Sequence, residues 1–179
     1  MSTLQQKLVE NRNRRRRDEL LTSAPAGLAS ALMATEFCSD PKIVENAAFA
    51  TWDTTTDTWT TTRGIVQTWR KHDCISWAAL VAYLKSLSFS NNLVGWFFFE
   101  VDGPYFKISS AEFERLIDPI ARYCEDMGKY DFGWISSSED CGVIVEFDHT
   151  SFCKNDYFVC IWGEVSQFDS LTVEVPLKQ

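Results

Sequence analysis

The pattern of apolar and polar positions is clearest between Leu93 and Met127. Residues 93 to 101, Leu-Val-Gly-Trp-Phe-Phe-Phe-Glu-Val, are almost continuously apolar. Such a run suits a central strand with both faces covered, because neither face can be left to water. Asp102-Gly103-Pro104 is a turn signal, and Tyr105 to Ile108 reads as a second, short strand. Ser109 with Glu112 fits a capping box that opens a helix over 109–127. Phe113, Leu116, Ile117, Ile120, Cys124 and Met127 share its apolar face. Pro119 removes a backbone donor, so the pattern predicts a kink or a break at Asp118. Gly128 closes the helix.

The flanking segments follow the same logic. Residues 3–22 read as a helix whose apolar face, begun by Leu4, Leu8 and Val9, is interrupted by Arg12-Asn13-Arg14-Arg15-Arg16-Arg17. Helical spacing spreads these arginines around the circumference, which predicts an unburied turn. Asp18 and Glu19 are placed to pair with them at i,i+3 and i,i+4. Leu28, Leu32 and Phe37 predict a second short helix, ending before Asp40-Pro41. Thr51-Trp52-Asp53 and Thr58-Trp59-Thr60 form a near-repeat that predicts two paired strands, over about 43–52 and 58–69. Asp73 is placed to cap a helix over 74–89, striped by Trp77, Leu80, Val81, Leu84 and Leu87. Beyond 130 the pattern predicts strands at 131–136, 142–148, 157–164 and 171–175, joined by Ser- and Asp-rich turns as an antiparallel meander.

The expected fold is therefore α+β: an antiparallel sheet of about six to eight strands, covered by two helices, with an N-terminal helical arm outside. The expected division is a helical, Arg-rich arm over 1–40 and a single acidic domain over 41–179. With 179 residues and 14% aromatic content, the chain can bury a core without metals or disulfides.

Charge adds one asymmetry. Residues 1–17 hold six basic residues against one acidic, whereas 18–179 hold 11 against 24, so +5 at one end meets −13 in the body. A negative body attracts basic surfaces. The leading expectation is a non-enzymatic binding protein, an inhibitor or adaptor engaging a basic protein partner. The alternative is a nucleic-acid-binding protein, with Arg12, Arg14, Arg15, Arg16 and Arg17 contacting the phosphates of RNA or DNA.

Candidate chemistry is thin. The only histidines are His72 and His149. Asp148, His149 and Cys153 could make an activated thiolate, the basis of a third reading as a small enzyme. His72, Cys74, Cys141, His149 and Cys153 match zinc spacings poorly. Gly-rich phosphate loops and nucleophile elbows do not occur, so no cofactor and no metal are expected. The six cysteines at 38, 74, 124, 141, 153 and 160 are expected to be reduced thiols. The polar N-terminus reads as no signal peptide, and no apolar run is long enough for a membrane span. The expected location is cytoplasmic, or nuclear in a eukaryotic or viral setting.

Overall fold

The computed structural model of the chain describes residues 3–39, 51–53, 58–61, 64–65, 67–68, 76–89, 92–100, 102–147, 157–163 and 165–167. The described architecture is α+β. Among the described residues there are four helices: α1 (Thr3–Ser23), α2 (Ala26–Met33), α3 (Trp77–Ser86) and α4 (Ser110–Met127). In chain order the strands are β1 (Phe37–Cys38), β2 (Thr51–Asp53), β3 (Thr58–Thr61), β4 (Gly64–Ile65), β5 (Gln67–Thr68), β6 (Leu87–Phe89), β7 (Val94–Phe98), β8 (Tyr105–Ser109), β9 (Phe132–Ser136), β10 (Gly142–Phe147), β11 (Tyr157–Trp162) and β12 (Val165–Gln167).

Seven of them form one antiparallel sheet in the order β1-β8-β7-β9-β10-β11-β5. The apolar run at 93–101 thus supplies an interior strand, paired with β8 in register Phe97↔Phe106 and with β9 in register Phe97↔Trp134. Both faces of the strand are used. Phe97, with Phe106, Ile108, Phe132, Trp134, Val143 and Val145, faces the main core. On that side α4 lies over β7, β8 and β9, with α2 and α3 packed against α4. Phe98 faces the other way, into a smaller cluster with Tyr105, Ile135, Ile144 and Trp162. There the aromatic rings lie on glycine. A Cβ on Gly133 would collide with the Phe98 ring, and one on Gly142 with the ring of Trp162, its cross-strand partner. Large rings can lie flat on the pleat where the opposite residue has no side chain.

The helix caps show why α4 starts and stops where it does. The Ser109 hydroxyl accepts from the Glu112 N–H at 3.2 Å. Gly128 takes the left-handed conformation at φ +61°, and the next N–H, of Lys129, reaches back to the Cys124 carbonyl at 3.1 Å. Of the kink or break expected at Asp118, the break does not occur: α4 runs through Pro119 as one helix. The carbonyl that loses its donor belongs to Arg115, which is exposed, so water can satisfy it. On the opposite face Phe113, Leu116, Ile117 and Ile120 are buried on both sides of the proline and hold the helix together. Asp118 is not a cap but pairs with Lys85 of α3 at 3.0 Å.

Other elements depart from their predicted bounds. The helix expected at 74–89 is α3, capped by Ser76, whose hydroxyl accepts from Ala79 N–H at 3.2 Å. It yields at Leu87 to β6, which pairs with β12 where a turn was expected. Leu87 and Phe89 are buried on alternate positions, a period the helix could not satisfy. Phe37 is not helical but lies in β1 beside β8, held by the Lys107 N–H to Glu36 carbonyl bond at 2.9 Å. The Thr/Trp near-repeat does form paired strands, with Trp52 opposite Trp59, but its second half is divided among β3, β4 and β5. The proposed cap Asp73, most of the strand expected at 43–52 and the strand at 171–175 lie outside the described residues. The division expected after residue 40 also lies outside them. Before it, Leu20, Leu28 and Leu32 are members of the main core. Among the described residues no helix is long and apolar enough to cross a membrane.

Candidate functional site

The Arg-rich turn of α1 is not uniformly exposed. Val9, Asn13, Arg16, Arg17, Leu20 and Ala24 recur at helical spacing and face the body. Asn13 has 0% exposure, which corrects the expectation that this turn cannot be buried. It packs at the Asp102-Gly103-Pro104 turn, its amide against Gly103, whose φ is +81°.

Arg12 and Arg16, one helical turn apart, reach the carboxylates of the same region. The Arg16 guanidinium lies 3.2 Å from Glu100 and 3.5 Å from Asp102, and donates to the Gly103 carbonyl at 3.4 Å. Arg12 lies 3.5 Å from Asp102. Arg17 pairs with its neighbour Asp18 at 3.3 Å and lies 5.8 Å from the centre of the Phe37 ring. The expected i,i+3 and i,i+4 pairs with Asp18 and Glu19 are replaced by this adjacent pair and by long-range ones. Arg14 and Arg15 are exposed and have no acidic partner among the described residues.

Arg16, Glu100 and Gly103 sit at the mouth of a cleft of about 660 Å³, and Asp102, next to Gly103, lines the hollow beside it. Phe99, Tyr123, Tyr130 and Phe147 give it an apolar, aromatic lining, and Arg16, Glu19, Glu100, Lys129 and Asp131 its charged rim. Lys129 pairs with Glu100 at 3.3 Å. A second hollow of about 370 Å³ shares Phe99, Glu100, Asp131 and Phe147 and adds Phe98, Asp102, Ile144 and Glu146. Asp131 is fixed by the Phe147 N–H at 2.7 Å. The Glu146 carboxyl is held above its ordinary range, first by partial desolvation and then by the negative charge of Asp131. The cleft is thus apolar below and predominantly acidic above. It is formed where β7 and β10 end, β9 begins and α4 terminates.

Among the described residues little else is reactive. Cys124 is buried in the core, and burial, with Asp131 and Glu125 adding to it, pushes its thiol far up, so it is no nucleophile at neutral pH. Cys141 is buried at the start of β10, where its N–H bonds the Ser136 hydroxyl at 3.2 Å. His72, Cys74, Asp148, His149 and Cys153 lie outside the described residues. Among the described residues, no three His, Cys, Asp or Glu side chains are grouped to hold a metal ion.

Sequence reasoning named the arginines but missed Glu100 and Asp102, which read only as the end of a strand and its turn. The i,i+4 spacing of Arg12 and Arg16 is the one local signal that they act together. Compared with protein-family models, curated proteins and solved structures, the chain gives no match.

Proposed function

We propose that this is a non-enzymatic binding protein, an inhibitor or adaptor whose acidic surface engages a basic protein partner. One observation carries the reading: the body already holds a guanidinium, that of Arg16, between Glu100 and Asp102 at the mouth of an aromatic-lined cleft. The net charge of −13 over residues 18–179 supplies the attracting field. Aromatic rings beside carboxylates suit the stem and head of a lysine or arginine side chain, the stem packing and the head pairing. The second reading, contact with RNA or DNA, is favoured by Arg14 and Arg15, which point to water and remain available for phosphates.

Fluorescence anisotropy of a labelled nona-arginine peptide and of a labelled single-stranded oligouridylate separates the two. The expected result is binding of the peptide at about 0.1 M salt and its loss near about 1 M, where screening shortens to about 3 Å. Binding of the oligonucleotide without the peptide, with a log–log salt slope of about −0.7 per neutralised phosphate, would reject the acidic-surface reading in favour of the second.

A further inference from the structure

We propose that the mouth formed by Glu100 and Asp102 is a recognition site for arginine side chains of a basic partner segment, and that α1 occupies it in cis as a displaceable internal ligand. This rests on the acidic-surface reading and names its site and its competitor.

The ionic seating of the N-terminal part of α1 is loose. Arg16 uses a single terminal nitrogen for Glu100, Asp102 and the Gly103 carbonyl, at 3.2–3.5 Å. A tight charge-assisted contact is shorter and, for arginine with a carboxylate, often bidentate. The paired side chains remain 32–53% exposed, and exposed pairs hold weakly. Between the two arginines sits Asn13, fully buried with neither its amide nitrogen nor its oxygen partnered. A buried amide without partners penalises the docked state and not the open one, where water satisfies it. Leu4 and Leu8, nearer the start of α1, are exposed, so they do not clamp the helix. Its other end is anchored, because Leu20 belongs to the main core with Leu28 and Leu32 of α2. The N-terminal part of α1 can therefore leave without dissolving the core.

What replaces it is set by charge and shape. Once Arg12 and Arg16 withdraw, Glu100 keeps only Lys129 and Asp102 has no basic partner among the described residues. The aromatic wall beside them, formed by Phe99, Tyr123 and Tyr130, gives apolar cover to the aliphatic stem of an incoming arginine. An arginine-containing segment approaching from outside can take both carboxylates bidentately, a geometry α1 does not reach.

The test uses the full chain and the nona-arginine peptide, with thermal midpoints confirming that each variant is folded. The Arg12→Gln, Arg16→Gln pair removes the internal competitor and should bind the peptide about 5- to 10-fold tighter than the parent, since occlusion lowers apparent affinity by the fraction of open sites. The Arg14→Gln, Arg15→Gln pair changes net charge equally but touches neither carboxylate, and should gain about 2-fold or less from the general field. Adding Glu100→Gln and Asp102→Asn to the first pair should return affinity to the parent's or below. Equal gains from the two arginine pairs would overturn the proposal and leave the acidic-surface reading standing. So would a gain that survives the loss of both carboxylates. Self-association of the parent that competes with the peptide would make a second copy the occupant and overturn the assignment to a partner. Absence of peptide binding in every variant would overturn this proposal and the reading beneath it together.

Discussion

Glu146 shows how a single residue reports on the cleft. Its carboxyl is raised above the ordinary value of 4.5 by desolvation first and by Asp131 second. A raised carboxyl favours the protonated form of the folded state. Its contribution to stability is therefore full below the unfolded value and is lost as pH rises through the folded one. Glu146→Gln should raise the thermal midpoint at pH 7 by a small amount and leave it nearly unchanged at pH 4. Melting curves at the two pH values check this, and an equal shift at both would remove Asp131 and desolvation as the cause. At this scale the sequence is least informative. Nothing local marks Glu146 out from other acids, because its shift depends on desolvation in the cleft and on Asp131, which lies just before β9. Asn13 is hidden in the same way. Hydropathy groups it with the arginines around it, and only the docking of α1 on Gly103 buries it.

The elements were more legible, and for a physical reason. Strand β7, the meander β9–β10–β11 and the capped helix α4 are specified by signals within each segment: apolar runs, turn residues, Ser109 and Gly128. The short strands β1, β6 and β12 have two or three residues each, too few to show a period, and exist because a neighbour offers free backbone groups. Pro119 shows a related effect: the local rule allows a kink or a break, and the buried stripe of α4 prevents the break. The core role of β7 is tested by Phe98→Ala. Phe98 is 2% exposed, lies over Gly133 and packs against Tyr105 with ring centres 5.8 Å apart. Its loss should cost about 3–5 kcal/mol in denaturant unfolding, as transfer energy and a cavity combine. A cost below about 1 kcal/mol would place that face of the sheet outside the core.

For the whole molecule, the separation of a basic end from an acidic body was visible in the charge count alone. How the two meet was not, because Arg16 and Asp102 stand 86 positions apart and a composition carries no contacts. The structure turns that asymmetry into a place: α1 rests its arginines on the mouth of an aromatic-lined cleft. The central claim is that this mouth, and not the general acidity of the surface, receives a basic partner. Amide chemical-shift mapping during titration with nona-arginine tests it most directly. The largest shifts should fall at Phe99, Glu100, Asp102, Gly103, Tyr130 and Asp131, accompanied by Arg12 to Arg17 as α1 gives way. Shifts concentrated instead on the outer acids of α4, such as Glu112, Glu125 and Asp126, with Glu100 and Asp102 unmoved, would contradict it.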